Sequence, residues 1–292
     1  MFLWELPQLQ NKNHSFQKSK ENLVVFAKSC GNFFYPKHRS PYLFLTNFLN
    51  PGNYYLNESQ TQVREKSFYF LNADDSIAID YSKPVTLQTL LILFDDEFIE
   101  NCITNLLSTE EQLLNFNTKK INFHIPTVPF ELNERVQKIL CFLINNSSYK
   151  ENVDFYLYEL VSEFVKMNDK TSKQIQKIDA VKTSTKTELY KRLFIAREFI
   201  RENVSKKITL DEIALEASLN KYHLLSNFKQ LFQCTPHQFS TQLKLSKAYQ
   251  LLKHKKGSVT EICESVGFDS IGSFSHLFKN HFHISPSTLL KN

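Results

Sequence analysis

The residues of this chain best placed to do chemistry are lysines. Lys221, Lys229, Lys253, Lys255, Lys256 and Lys279 all stand in its C-terminal third, where charge is unbalanced: residues 187–292 hold 15 Lys and Arg against 9 Asp and Glu, whereas residues 1–186 hold 20 against 21. Ammonium groups held on a folded scaffold neutralise phosphates and release their counterions, so these lysines are expected as phosphate contacts to a polyanion. Other chemistries lack the residues they need. His14, His38 and His124 are isolated from one another, where a metal-dependent enzyme on a small β-barrel needs an HxH pair followed by Glu and a later His. Five cysteines, Cys30, Cys102, Cys141, Cys234 and Cys263, are scattered without a CxxC pair and read as reduced and mostly buried. Five glycines in 292 residues leave no Gly-rich phosphate loop. No Ser/His/Asp or Cys/His arrangement is readable from spacing. The expectation is a binding protein and not an enzyme, with no metal and no cofactor. Lys37, His38 and Arg39, within Tyr35-Pro36-Lys37-His38-Arg39, are the candidates for holding an anionic ligand, a charged strand edge being the plainer reading.

The elements that must position the C-terminal lysines repeat. Phe228-Lys229-Gln230-Leu231-Phe232-Gln233-Cys234-Thr235-Pro236 is matched fifty residues on by Phe278-Lys279-Asn280-His281-Phe282-His283-Ile284-Ser285-Pro286, and Ile213-Ala214 with Ser218-Leu219 parallels Ile262-Cys263 with Gly267-Phe268. Each copy reads as helix, tight turn, helix. Thr209 caps the first helix of one copy and Asn220 its second; Ser258 or Thr260 starts the other copy, and Ser270 opens its second helix. Leu224, Phe228, Leu231 and Phe232, and in the other copy Phe274, Leu277 and Phe278, point inward at helical spacing. This is the helix-turn-helix motif, whose second helix enters the major groove of double-stranded DNA. Between the copies Thr235 caps, and Pro236 opens, a helix running to about Lys253. Roughly 18 residues span about 27 Å, which suits two reading helices about one DNA turn apart.

Over residues 188–290 the chain resembles the DNA-binding domain of the AraC/XylS family of bacterial regulators. The resemblance rests on Leu210, Ile213, Ala214, Leu224, Phe228-Lys229, Thr235-Pro236, Leu245, Ala248, Leu251-Leu252, Ile262, Gly267-Phe268, Phe274, Phe278-Lys279 and Pro286. It implies an all-α domain over 188–292 with helix-turn-helix units at 208–232 and 258–282, acting as a transcription regulator beside a variable domain that senses a ligand or dimerises. Ser218 departs from the glycine usual in the first turn, Gln233 and His283 from the glycine before each Thr/Ser-Pro, and Lys244 from an arginine. By position in the motif, Lys221, Tyr222, Leu225, Ser226 and Lys229 face the groove from the first unit, and Ile271, Gly272, Ser273 and His276 from the second. The base contacts are expected from Tyr222, Leu225, Ser226, Ile271, Gly272, Ser273 and His276. The Arg and Gln that often read guanine and adenine bidentately are absent, so an A·T-leaning site read through apolar contacts and shape is expected.

Residues 1–166 read as a mainly β domain with a helical hairpin. The strand patterns are NLVVFAK, PYLFLTNFL, SFYFLN, SIAIDY and TLQTLLILF, broken at Asn50-Pro51-Gly52-Asn53 (a type II turn), Asn72-Ala73-Asp74-Asp75 and Ser82-Lys83-Pro84. INFHI is a further short strand. Asp95-Asp96 caps one helix, and Thr109 with Gln112 spaces a capping box. Helical patterns at Leu132–Leu143 and Val153–Val165, separated by Asn145-Asn146-Ser147-Ser148, make a hairpin that either forms a dimer seam or covers a barrel. This outline resembles the cupin-like barrel of the same family, for ligand sensing or dimerisation. Met167 to Thr187, without aromatics or a clear period, reads as the linker. With no apolar run of roughly 18 residues and no basic leader over Met1–Gln10, a cytoplasmic protein with no membrane contact is expected. Its partners would be double-stranded DNA, a small-molecule effector, a second copy as homodimer, and RNA polymerase if it activates. Two alternatives stay open. A DNA-repair methyl acceptor would need a clustered four-Cys zinc site, and a constitutive regulator would bind no ligand.

Overall fold

The computed structural model describes residues 2–3, 21–57, 59–108, 123–146 and 150–291. It divides into two compact units, Met1–Lys173 and Gln174–Asn292.

The first unit is built on β1 (Phe2–Leu3), β2 (Leu23–Arg39), β3 (Leu43–Leu49), β4 (Gly52–Leu56), β5 (Ser59–Val63), β6 (Ser67–Leu71), β7 (Ser76–Leu93) and β8 (Phe130–Glu131), with helices α1 (Asp96–Leu107), α2 (Glu134–Asn145) and α3 (Lys150–Lys177). The strands pair in the order β1-β2-β7-β3-β6-β8, and β4 joins β7 to β5. No pairing among the described residues closes this path, so the unit is an open, bent sheet and not the expected barrel. Among the described residues the path ends at β1 and β8, and β5, paired only to β4, is a further edge.

The expected strands SIAIDY and TLQTLLILF are one strand, β7. Ser82-Lys83-Pro84 is an irregularity inside it, where pairing with β2 jumps from Gly31↔Val85 to Phe33↔Tyr81. Proline lacks the N–H a regular ladder needs, so the strand bends there instead of turning back. The left-handed residue of the Asn50–Asn53 segment is Asn50, at φ 61°, while Gly52 starts β4 opposite Val63, so the type II reading is corrected. The hairpin β4–β5 escaped the sequence reading. INFHI is not a strand over its described residues 123–125, and β8 takes the place beside β6. The Thr109–Gln112 capping box, His14, Ser147 and Ser148, and the Cys30 side chain lie outside the described residues.

Both faces of β3 and β6 are buried. Leu43, Leu45, Tyr69 and Leu71 join Val25, Leu91 and Leu93 in one core. Phe44, Phe68 and Phe70 face the other way, where Phe164 of α3 stacks on Phe70 with centroids 4.1 Å apart. Val136, Ile139, Leu140 and Leu143 of α2 and Leu157, Leu160, Val161 and Phe164 of α3 are buried. The hairpin's apolar stripe is therefore used within this unit, where each large side chain is worth about 1.5–3 kcal/mol. α3 also runs on through the expected linker to Lys177, and the next helix starts at Thr183, so 167–187 is helical except for 178–182. The helical period was hidden because Asn168 and Thr171 occupy inward positions, both buried, between Phe164 and Ile175; Asn168 donates to the His124 carbonyl at 3.3 Å.

The second unit is all helical: α4 (Thr183–Glu202), α5 (Leu210–Glu216), α6 (Lys221–Phe232), α7 (Pro236–Lys253), α8 (Val259–Ser265), α9 (Ile271–Phe282) and α10 (Pro286–Lys291). α4 packs on α5 and α6 as α7 packs on α8 and α9. Leu193, Ala196 and Ile200 of α4 are buried, and so are Leu245, Ala248 and Leu252 at the same spacing in α7. The repeat therefore has three helices, not two: a supporting helix precedes each helix-turn-helix pair. The shared Leu-(two residues)-Ala-(three residues)-Ile/Leu string was the signal that could have shown it.

Candidate nucleic-acid interface

Each first helix is anchored by a capping box. Thr209 N–H donates to Glu212 Oε2 at 2.7 Å while Glu212 N–H donates to Thr209 Oγ1 at 3.2 Å. Ser258 and Glu261 repeat this at 2.8 and 3.3 Å. The backbone N–H groups of Thr209 and Ser258 hold the Glu212 and Glu261 carboxyls below their ordinary pKa.

The turns match in detail. Leu219 N–H reaches Ala214 O at 2.9 Å, and Phe268 N–H reaches Cys263 O at 3.1 Å. The residue before each is left-handed, Ser218 at φ 51° and Gly267 at φ 80°. The exposed carbonyl of each turn is taken by a cation from the supporting helix: Arg192 Nη1 donates to Ser218 O at 2.9 Å, and Lys244 Nζ to Gly267 O at 2.8 Å. Glu188 orients Arg192 at 3.0 Å. Burial pushes the Lys244 ammonium down from its ordinary pKa. Lys244 thus does from α7 what Arg192 does from α4, roles that spacing of 23 and 26 residues kept out of local sequence patterns.

Gln233 and His283 end α6 and α9, each at φ 59°. With Ser218 they place three side chains where glycine is unstrained. Ser218→Gly, Gln233→Gly and His283→Gly should each raise stability by about 1 kcal/mol, read as a higher urea midpoint. Gln233 should gain least, because its Nε2 donates to Gln230 O at 2.7 Å. A midpoint lowered in all three would refute the strain argument.

Asn220 caps α6 by accepting from His223 N–H at 2.8 Å, and Ser270 caps α9 by accepting from Ser273 N–H at 3.4 Å. With Leu224, Phe228 and Leu231 buried on α6, Lys221, Tyr222, Ser226 and Lys229 lie on its exposed side. With Phe274 and Phe278 buried on α9, Ile271, Gly272, His276 and Lys279 lie on its exposed side. Tyr222 is 78% exposed and Ile271 46%. Leu225 and Ser273 are exposed as well, but both line a cleft between the two helix-turn-helix pairs. Lys221 is engaged by Asp211 Oδ1 at 2.7 Å. Lys253 is the last residue of α7, and Lys255 and Lys256 follow it, Lys255 being left-handed at φ 51°.

Asn280 was missed: its Nδ2 lies 3.4 Å from the His276 ring nitrogens. Its i+4 spacing from His276 was the available signal. Gly272 has room for a side chain, since an added Cβ would meet only Ser270 Oγ at 3.7 Å. Packing does not require glycine there, in a helix that glycine weakens.

In the first unit the anion candidates separate. His38 is buried, with its ring 4.9 Å from that of Tyr35 and Nδ1 2.8 Å from Pro36 O. Lys37 and Arg39 are exposed, and Arg39 lies 3.8 Å from Asp74. Alternation along β2 turns His38 away from its neighbours.

Neither α6 nor α9 carries an acidic residue, and nor does α7. Apart from Asp269 in the turn before α9, the acidic side chains of both pairs sit on the first helices: Asp211, Glu212 and Glu216 on α5, Glu261 and Glu264 on α8. The arrangement offers two acid-free helices, each on a rigid turn, to a polyanion.

A helix-turn-helix domain model matches residues 213–292. The chain is 34% identical over 92 residues to the lactose operon transcription activator of Staphylococcus xylosus, covering 32% of this chain and 33% of that protein. It is 33% identical over 95 residues to the transcriptional activator RhaS of Escherichia coli, covering 32% of this chain and 34% of that one. The match thus spans about a third of these curated relatives. Among solved structures, an AraC-type regulator from Chromobacterium violaceum is 29% identical, covering 34% of this chain and 89% of that one, with a TM-score of 0.33.

Proposed function

We propose, from the premise that residues 213–292 are an AraC-type helix-turn-helix domain, that this chain is a sequence-specific DNA-binding transcription regulator. The observation that carries the reading is the pair of acid-free second helices, α6 and α9, on duplicated three-helix supports. Neither helix brings a carboxylate of its own to an approaching phosphate, and cations placed there release counterions. Tyr222, Ser226, Ile271, Gly272, His276 and Asn280 meet base edges, with Leu225 and Ser273 at the margins. Lys221, Lys229 and Lys279 meet phosphates, and Lys253, Lys255 and Lys256 reach the backbone beyond. Lys221 leaves Asp211 when it does so. Gly272 lets the α9 backbone come close to the duplex.

Residues 1–166 form the sensing or dimerisation domain, joined through 167–187 to the DNA-binding domain at 188–292. Control by a small-molecule effector, assembly as a homodimer, contact with RNA polymerase during activation, and residence in the cytoplasm complete the reading. No described helix is long and apolar enough to cross a membrane. The named relatives are transcription regulators, which favours this reading over an enzyme.

Selection from random duplexes by the full chain should return an A·T-leaning site in two segments about one turn apart; a G·C-rich consensus would remove the base-readout part. Lys229→Ala and Lys279→Ala should each weaken binding to all sequences and reduce the slope of log K against log salt by about 1. An unchanged slope removes that lysine, and duplex binding insensitive to salt removes the function.

A further inference from the structure

Between the two helix-turn-helix pairs, wholly within Gln174–Asn292, lies a cleft of about 620 Å³. Leu225 of α6 and Ser273 and Leu277 of α9 line it, with Ile213, Thr241 and Phe268 among its other walls. This volume is in the range that takes a small organic molecule. The ionisable groups around it are unequal: Lys206, Lys207, Lys244 and His237 against the single carboxylate of Asp269. Asp269 is taken by Lys207 at 2.7 Å. Lys244 spends one N–H on Gly267 O at 2.8 Å and has two more to donate. Lys206 is exposed and has no ion pair among the described residues.

We propose that this cleft binds a small amphipathic anion, a carboxylate carried on an apolar body, and that its occupancy is coupled to DNA binding. The apolar body would cover Ile213, Leu225, Phe268 and Leu277, and the carboxylate would meet Lys206 and Lys244. An anion there also offsets the cost of holding the Lys244 ammonium partly out of water. Coupling follows from position. Leu225 belongs to the helix that carries Tyr222 and Ser226, and Ser273 to the helix that carries Gly272 and His276, so an occupant sets the gap between two helices that must match the DNA repeat. Whatever factor the ligand imposes on DNA affinity, DNA imposes on ligand affinity. The coupling rests on the DNA-binding reading; the site itself does not.

The test is calorimetric titration of the full chain with 4-phenylbutanoate and with its neutral counterpart 4-phenylbutanol, with and without a selected duplex. The carboxylate should bind one per chain and at least about tenfold more tightly than the alcohol. It should also shift duplex affinity by about threefold or more. Leu277→Trp and Thr241→Phe, which fill the cleft from α9 and from α7, should each lose the carboxylate by about tenfold while still binding duplex. Equal affinity for acid and alcohol, no binding of either, or binding unchanged in whichever filled variant folds would overturn the site. Ligand binding that leaves duplex affinity unchanged would overturn the coupling. A wild-type chain that fails to bind any duplex strikes the proposed function instead, and the two failures are read in separate titrations.

Discussion

Gly267→Ala should cost the C-terminal unit about 3 kcal/mol and abolish duplex binding, the strain and the clash each contributing 1–3 kcal/mol or so. The φ of Gly267 is +80°, and a Cβ would lie 2.8 Å from the Ser205 carbonyl oxygen and 3.2 Å from Lys244 Nζ. The Ser205 contact is backbone and cannot swing aside. Relief would require moving the turn, and the turn aims α9. The Lys244 hydrogen bond to Gly267 O would be broken by the same movement. Hydrogen exchange across 258–282 in the full chain should accelerate, and duplex binding should disappear with it. Gly272→Ala is the informative contrast. It is five residues away in the same unit, yet its added methyl meets only an ordinary contact, so exchange there should slow or stay level. Equal exchange in both variants would refute the steric account.

Phe278→Ala should cost about 4 kcal/mol, a large share of a typical domain's total stability. Phe278 is fully buried, and its ring packs against Phe282 at 4.8 Å, Phe274 at 5.5 Å and Tyr249 at 6.3 Å. Removing it opens a void where Tyr249 of α7 meets the α9 rings, leaving Tyr249 its contact with Phe282 at 4.7 Å. The second helix-turn-helix pair should lose its fixed packing before the first does. Duplex affinity should then fall by more than about a hundredfold, as one of two reading helices is lost and about 3 kcal/mol of binding with it. A melting temperature within a degree or two of wild type, or affinity within a few fold, would show that the pair stands without this ring. Phe228, equally buried beside Phe232 and Phe239 in the first pair, should give the same result for the other half.

The parts of this molecule that were legible beforehand are those built from near neighbours. The caps at Thr209, Asn220, Thr235, Ser258 and Ser270 act over three residues, and the inward stripe of Phe228 or Phe278 repeats within one helix. Local contacts of this kind leave local patterns, and a duplicated pattern is hard to mistake. Where the reading failed, a partner far along the chain had decided the matter. Ser82-Lys83-Pro84 looked like a turn until β2, fifty residues earlier, held both sides of it in one ladder. Asn168 and Thr171 looked like linker residues because the buried positions of α3 that they fill are polar. Among the described residues no pairing closes the sheet into a barrel, and whether two distant strands pair leaves no local pattern in the sequence.

Charge and spacing alone put the six lysines in the C-terminal unit, and the duplicated pattern alone gave the helices on which Lys221, Lys229 and Lys279 are exposed. Tertiary structure decided what each of those side chains is free to do. Lys221 is held by Asp211, Lys253 ends α7 with Lys255 and Lys256 just beyond it, and Leu225 and Ser273 line the cleft between the two pairs. Helical period determines which side of a helix is buried, because that depends on residues three and four apart. Which part of the exposed side meets a groove, a neighbouring helix or a ligand depends on how α7 sets one helix pair against the other, and that relation has no period in the sequence.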